Sequence, residues 1–523
     1  MSVVSYIFIV FLAVTVLIYY IVPKKIQWWV LLAASVVFYA YSGIDDFLIV
    51  VGTAFLVYPL TMLMEKNLEE QDRLLLDADK RTARKIKTAQ KKKRKKYLVL
   101  ALLIVIGALI VFKVTGFAIE NIKRFLPYEA IQRIPDWHFP APLGVSFYSF
   151  MMISYLVDVY NGRIHAQKNF LKYLSYVLYF PHITQGPIAR YELVAHQLWE
   201  KHKFDYDTVI KGTWLILWGA LKKMVMADRI SPFVTEVFKH SDQYEGMIFF
   251  LAAVMYSIQI YCDFSGCMDI VRGASECFGI TLGENFRRPY FSQTLPEFWR
   301  RWHITLGTWM KDYIFYPMSL SKKMNKFGKW GKKHFGNTFG RTLPICFANI
   351  VIFFIVGIWH GAAWKYIAYG LYNGFIIAIS NLLEPVYKKL LSKFHINATS
   401  RGWTLWQIIR TFILVNIGWY FDMADSVSQA LCMIRWSIQG LSFSQLNSSL
   451  LDLGIEARDY IIIIAGCIIV FIISVLKEKG IAIRESIAAK PLAVRWAAYY
   501  ALIAVILIFG YIGATQGFIY ANF

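Results

Sequence analysis

The sequence predicts an all-helical protein that crosses a membrane many times. Of its 523 residues, 57% are hydrophobic and only 17% are charged, a composition too apolar for a soluble domain. Many apolar runs approach the length of about 20 residues that a helix needs to span a bilayer. The net charge of +22 is expected of cytoplasmic loops. No nucleic-acid-binding module accompanies this charge, so nucleic acid is not an expected partner.

The N-terminal region predicts the orientation of the chain. Three apolar segments, at about residues 3–22, 28–41 and 47–64, precede a stretch from Lys80 to Lys96 with eleven Lys or Arg and no acid. This stretch is predicted to be a cytoplasmic loop, which places the N-terminus outside, and to contact anionic membrane lipid. The first segment lacks the basic region and cleavage site of a signal peptide, so we expect it to be retained.

More apolar segments follow in the rest of the chain. They are predicted at about residues 97–117, 143–160, 170–184, 208–226, 246–261, 343–359, 366–383, 403–421, 460–476 and 494–512. A polar connection with four prolines, Glu120 to Pro142, interrupts the helical pattern. A second basic region, Arg287 to Arg341, is predicted to be cytoplasmic like the first.

The segment FWRRWHITLGTWMKDYIFYP, residues 298–317, carries charges between apolar runs. Charged residues at such positions indicate function or topology, because burial in a bilayer is costly. If the segment is one helix, His303 lies one turn from Trp299 and near Arg300, on a face able to line a polar cavity. The alternative is a juxtamembrane helix whose basic side chains bind lipid phosphates.

A second histidine ends the apolar run that begins near Leu343, in the segment GIWHGAAW. About seventeen residues separate the start of that run from His360, a rise of about 25 Å in an upright helix. We therefore expect His360 within the membrane or its outer half and His303 nearer the cytoplasmic side. Trp359 and Trp364 are candidates for the wall of a cavity around His360.

Two further polar residues fall in apolar segments. Asp263 is costly there unless it is paired, with Arg272 or Arg288 as candidate partners, and a structural role is favoured over a substrate contact. His182 alone is more often a packing residue than a cavity residue. No metal site is predicted, because the histidines are far apart and no HxxxH or CxxC cluster occurs. The six cysteines fall in or beside apolar segments and are predicted to be packing residues.

Several motifs, in a fixed order, resemble the membrane-bound O-acyltransferase family. They are LGVSFYSFMMISYLVDVY, YFPHITQGPIARY, IQIYCDFSGCMDI, ENFRRPYF, FWRRWH, WHG and, in the tail, GWYFDMADSVSQAL and GFIYANF. The resemblance is to the bacterial branch typified by alginate O-acetyltransferase. It implies a ring of about eleven or more transmembrane and re-entrant helices around a central cavity. It also implies three regions: N-terminal helices (1–142), a catalytic core (143–400) and a C-terminal extension (401–523).

The resemblance further implies an acetyl transfer through this cavity. His360 would be the base that takes the proton of an attacking hydroxyl, and His303 would orient the substrate or stabilise charge. The residues expected to bind substrate or line the cavity are Trp299, Arg300, Asp312, Trp359, Trp364, Asp263, His182 and Asn373. No cofactor is expected to be bound, and the acetyl donor, acetyl-CoA or an acyl-carrier thioester, would be a substrate.

The resemblance implies a bacterial plasma-membrane protein that serves a cell-surface or secreted polysaccharide through an extracytoplasmic SGNH-like partner. Three positions depart from the family pattern: Asn373 replaces a frequent histidine, Cys267 an aromatic residue and Met423 an arginine. Because of these departures, the sequence does not determine the identity of the acceptor. The alternatives are D-alanyl transfer to teichoic acid and, in a different class, a transporter with embedded polar residues.

Overall fold

The computed structural model describes residues 1–127, 131–132, 139–183, 185–244, 246–439 and 453–511. Within these ranges most residues are helical and no β-strand forms, apart from an isolated bridge between Phe286 and Trp302. The predicted all-helical class is therefore confirmed. The tail motif GFIYANF lies outside the described residues, as do parts of the predicted connection from Glu120 to Pro142.

The chain divides into two compact units, one formed by Met1–Gly212 with Val271–Gly283 and the other by Thr213–Ile270 with Glu284–Phe523. The predicted boundaries at 142 and 400 stay predictions. In chain order the helices are α1 (Tyr6–Ile21), α2 (Gln27–Ser42), α3 (Ile44–Leu75), α4 (Lys80–Lys113), α5 (Thr115–Lys123), α6 (Val145–Asn161), α7 (Phe170–Leu178), α8 (Phe180–Ile183), α9 (Tyr191–Trp199), α10 (Tyr206–Ala220), α11 (Asp228–Lys239), α12 (Met247–Glu276), α13 (Leu295–Arg301), α14 (Ile304–Met310), α15 (Tyr316–Ser319), α16 (Lys322–His360), α17 (Trp364–Lys393), α18 (Arg401–Met423), α19 (Val427–Ile438), α20 (Ala457–Glu478), α21 (Ile483–Ala488) and α22 (Leu492–Phe509). Two π-helical segments, Leu221–Ala227 and Lys311–Phe315, join α10 to α11 and α14 to α15.

Seven described helices are long and apolar enough to cross a membrane: α3, α4, α12, α16, α17, α20 and α22. The 16-residue helix α1 is also apolar but shorter. The shortest of the seven has 18 residues, which lies within the range of about 17–25 residues that spans a bilayer core. The protein is therefore a multi-pass membrane protein, while the predicted ring of about eleven helices stays a prediction.

The basic stretch from Lys80 to Lys96 is not a loop, as the sequence analysis predicted, but the first half of α4. Lys and Arg are good helix formers, and the Asp79 side chain caps the helix by accepting hydrogen bonds from the backbone N–H groups of Arg81 and Thr82. The stretch also packs on α3, where Arg94 donates to Asn67 at 3.2 Å. These interactions keep the helix continuous beyond the apolar part of the chain.

Helix α16 is broken at Gly336, whose φ of 78° lies in the left-handed region that glycine adopts without steric cost. The chain folds back there, and the two arms come into close contact. A methyl group on Gly328 would lie 3.2 Å from Pro344, and one on Gly331 only 2.9 Å from Leu343. The basic arm before Gly336 therefore packs against the arm that ends at His360. The predicted apolar run from Leu343 belongs to this second arm.

The orientation can be tested with single cysteines at positions 92 and 330. We expect both to resist an impermeant maleimide in intact cells and to react after permeabilisation, because both basic segments are predicted to be cytoplasmic. Lys92 is exposed and Trp330 is 48% exposed, whereas the nearby Gln90 is buried and unsuitable. Exposed Cys432 should first be replaced by serine. Labelling of either position in intact cells would contradict this orientation.

Candidate active site

His303 lies in a tight connection and not in the continuous helix considered in the sequence analysis. Helix α13 ends at Arg301 and α14 begins at Ile304, and His303 between them has φ 46° and ψ 53°. Few residues other than glycine adopt this left-handed conformation. A neighbouring segment holds the connection: the Arg287 N–H donates to the Arg301 carbonyl at 2.9 Å, and the Ile304 N–H donates to the Asn285 carbonyl at 3.0 Å.

Asn285 connects this turn to helix α12. Its side-chain oxygen accepts hydrogen bonds from the Thr305 N–H at 2.9 Å and the Thr305 hydroxyl at 2.7 Å, and it lies 3.4 Å from Nδ1 of His303. Its Nδ2 lies 3.1 Å from the Met268 sulfur. An acceptor facing Nδ1 favours the tautomer that is protonated there. The sequence analysis did not single out Asn285, and its place in the motif ENFRRPYF was the only signal.

The structure brings His303 and His360 to the same aromatic cluster. The Trp359 ring contacts both, with its centroid 5.8 Å from that of the His303 ring and 5.0 Å from that of the His360 ring. Each histidine is only 2% exposed. The edge of Phe264 lies 4.8 Å from His303, and Tyr369 lies 5.7 Å from His360 at 88°.

Burial determines the protonation of His303. Loss of hydration lowers the pKa of His303 to about 3, and the nearby His360 lowers it further. The ring is therefore neutral near pH 7, when one of its nitrogens can accept a hydrogen bond. Because its folded pKa lies below the unfolded value of about 6.5, its contribution to stability is complete above pH 6.5. That contribution is lost as the pH falls from 6.5 towards 3.

Two other predicted residues join the cluster. The Trp299 indole N–H donates to the Asn373 side-chain oxygen at 3.2 Å, and the Asn373 amide donates to the Tyr369 carbonyl at 2.9 Å. Since Tyr369 contacts His360, this chain of contacts connects α13 to α17 beside the histidine. Asn373, which stands where the family often has histidine, thus has a definite packing role.

Asp263 is buried and pairs with Lys223, a residue that the sequence analysis did not offer as its partner. The Lys223 ammonium lies 2.5 Å from Asp263 and 2.8 Å from Asp228, and all three side chains are at most 4% exposed. Arg288 instead contacts Glu478. The pairing favours the structural role for Asp263, whose neighbour Phe264 contacts His303.

The adjacent Lys222 makes a second buried pair, 2.7 Å from Asp269 and 2.8 Å from the Ser265 hydroxyl. Both lysines lie in the π-helical segment Leu221–Ala227, a type of distortion frequent at functional sites. Gly219 and Gly266 allow the two helices to approach, since a methyl group on Gly219 would lie 2.4 Å from the Gly266 carbonyl oxygen. This proximity lets both lysines reach the carboxylates of α12.

The remaining predicted residues are placed differently. Trp364 is 52% exposed at the start of α17 and Arg300 is exposed, so neither belongs to the buried cluster. Asp312 is half-buried in the π-helical segment Lys311–Phe315. His182 is fully buried in the other unit. Within the described ranges no cluster of His, Cys, Asp or Glu could hold a metal ion.

These observations define a multi-pass helical membrane protein with two buried imidazoles in one aromatic cluster. Residues 163–424, about half of the chain, match the model of the membrane-bound O-acyltransferase family. The chain belongs to this family, and it is therefore an O-acyltransferase. The predicted resemblance is confirmed, and the family favours an enzyme over the transporter alternative.

Individual relatives divide by the group they transfer. The chain is 28% identical to a probable alginate O-acetylase, AlgI, of Azotobacter vinelandii over 438 residues, covering 82% of this chain and 78% of the relative. It is 27% identical to the peptidoglycan O-acetyltransferase of Helicobacter pylori over 380 residues, or 67% of this chain and 66% of the relative. The teichoic acid D-alanyltransferase of Bacillus subtilis is 28% identical over 286 residues, which cover 53% of this chain and 67% of the relative.

Proposed function

We propose that this enzyme moves an acetyl group from a cytoplasmic thioester across the membrane for O-acetylation of a cell-surface or secreted polysaccharide. The observation that carries the proposal is the burial of His303 and His360, which both contact the Trp359 ring. Two imidazoles in a site of low water content suit a reaction in which one proton leaves a hydroxyl and charge develops on a carbonyl oxygen.

His360 is the proposed base. It takes the proton from the attacking hydroxyl as the new C–O bond forms at the thioester carbonyl. The C–S bond then breaks, and the proton passes to the departing thiolate. His303 is neutral near pH 7 and held by Asn285, and it orients the thioester or stabilises charge on its oxygen. Trp299 and Asn373 support the wall beside His360.

The extent of the alignments favours acetyl transfer. The acetylase relative aligns with 82% of this chain, while the D-alanyltransferase relative aligns with 53%. D-alanyl transfer to teichoic acid remains the second candidate, because that relative belongs to the same comparison. The immediate donor in the proposal is acetyl-CoA or an acyl-carrier thioester.

We infer a bacterial plasma-membrane location and a separate extracytoplasmic partner, an SGNH-like acyltransferase. Most of the described chain consists of helices, so polymer binding is assigned to the partner. A complex that transfers a group and then separates is expected to have a modest interface, at the small end of the range for specific complexes. The proposed contact region is the outer end of the cavity near His360. A second candidate is the Glu120–Pro142 connection, which follows a span predicted at about residues 97–117 to run from the cytoplasmic side outward.

The proposed function predicts that deletion of the gene removes O-acetyl groups from surface or secreted glycans. Mass spectrometry of glycans from the deletion strain, the parent and a complemented strain measures this loss. Deletion of the partner gene should give the same loss while this protein is still inserted. Loss of D-alanyl esters with normal O-acetylation would instead support the second candidate. Unchanged levels of both groups would overturn the proposed function.

A further inference from the structure

A cavity of about 430 Å³ lies in the second unit, between α12, α20 and the turn Pro289–Phe291. Its size falls in the range of small-ligand sites, about 300–1,000 Å³. Helix α20 contributes Cys467, Phe471 and Ser474, which share one helical face at spacings of four and three residues. Apart from Arg288, which also lines it, no lining residue carries a formal charge.

The cavity is lined almost entirely by apolar side chains. Both α12 and α20 are candidate spans. Two residues that line the cavity, Ile468 and Phe471, are also 53% and 60% exposed, so the apolar lining continues into the surface that faces lipid. Phe471 stacks on Phe291 at 5.8 Å, which supports one wall. An aliphatic chain from the bilayer matches such a lining, because apolar contact surface favours an apolar ligand.

Arg288 gives the cavity one cationic end. Its Nε donates to Glu478, the last residue of α20, so this end lies where a membrane span terminates. Arg288 also holds a left-handed backbone conformation, with φ 49°. Across the part of the chain that the structure describes, its two Nη groups donate to no protein acceptor. A guanidinium with free donors at the end of a span is suited to a phosphate.

We propose that this cavity binds a glycerophospholipid, with one acyl chain between α12 and α20 and the phosphate on the Nη groups of Arg288. Apolar burial holds the chain, and the charge-assisted hydrogen bonds select a phosphate-bearing headgroup. The site is independent of the acyl-transfer proposal, since it requires neither histidine.

The bound lipid would also support the turn that carries His303. Tyr290 lines the cavity, donates through its hydroxyl to the Ser257 carbonyl at 2.6 Å and stacks on Phe298 at 6.1 Å. Its ring lies 6.3 Å from Trp302, the residue before His303. An acyl chain on the other side of Tyr290 would limit movement of this aromatic stack.

Photo-crosslinking tests the site directly. The purified full-length protein is placed in phosphatidylcholine nanodiscs with a small fraction of phosphatidylglycerol that carries a diazirine in one acyl chain. Illumination should attach the probe to the peptides that contain Ile258–Cys262 and Cys467–Ser474.

Cys467→Trp fills the cavity and should lower this capture about tenfold, the equivalent of about 1.4 kcal/mol. Ile464→Trp is the matched control, because Ile464 is exposed on the same helix but does not line the cavity, and it should leave capture unchanged.

Arg288→Gln tests the headgroup separately and needs no change of cavity volume. It should lower capture of the phospholipid, while a diazirine-bearing diacylglycerol without phosphate should bind the variant and the original protein equally weakly. Arg287→Gln is the control, since Arg287 is adjacent, exposed and paired with Glu284. Crosslinks spread evenly over all spans, or capture unaffected by Cys467→Trp, would overturn the cavity site. Equal capture of the two probes would overturn the role of Arg288. None of these outcomes depends on acyl transfer.

Discussion

Replacement of His360 by alanine is expected to abolish glycan acylation while the protein remains in the membrane at its normal level. A positioned general base contributes a factor of about 10² to 10⁴ to a rate, and the buried Trp359 and Tyr369 leave little water to replace it. The measurement is the O-acetyl content of purified glycans, with immunoblotting of membranes for the protein level. His334→Ala is the matched control, because His334 is an exposed histidine on the same helix.

His303 calls for a different substitution. Its backbone is left-handed, a conformation that asparagine tolerates better than alanine, so His303→Asn removes the imidazole with the least strain on the turn. We expect a strong loss of acylation that is smaller than for His360→Ala. Because the pKa of His303 is lowered to about 3, the pH dependence of the remaining activity between pH 5 and 8 should be the same in His303→Asn as in the original protein. Full acylation by the His360→Ala protein would refute the proposed mechanism.

Replacement of Lys223 by methionine is expected to destabilise the protein by about 3–5 kcal/mol, because two buried carboxylates lose the cation that they share. Lys223 contacts both Asp228 and Asp263 at 2.8 Å or less. Thermal unfolding of the purified protein in detergent measures the change, which should appear as a fall in Tm of about 5 °C or more. Lys239→Met is the control, since Lys239 is exposed at the end of α11.

A second substitution distinguishes charge from packing at this position. Adding Asp263→Asn to Lys223→Met removes one of the two repelling carboxylates, so the double variant should regain part of the lost stability. If Lys223→Met unfolds at the same temperature as the original protein, the buried triad does not stabilise the fold. An equal loss of stability in the single and double variants would show that the shape of methionine, and not the loss of charge, destabilises the protein.

The sequence by itself determined the class of the protein. Apolar runs of bilayer length predicted the spans because hydrogen bonding within a helix is the simplest solution for a chain in lipid. Ordered motifs around His303 and His360 predicted the family. These signals are local, since each depends on residues close together in the chain. The polar character of the stretch from Lys80 to Lys96 was also evident, but its helical state was not, because contacts with α3 stabilise it.

Only the tertiary structure decided how the site is held. Asn285 reaches His303 from an earlier segment, and Lys223 reaches Asp263 across 40 positions of sequence. No local pattern specifies either pairing. Several basic residues could neutralise a buried carboxylate, and only the close approach of two helices determines which of these residues pairs with it. The left-handed turn at His303 has the same origin. Its strain is tolerated because the segment at Asn285 supplies backbone partners on both sides of it.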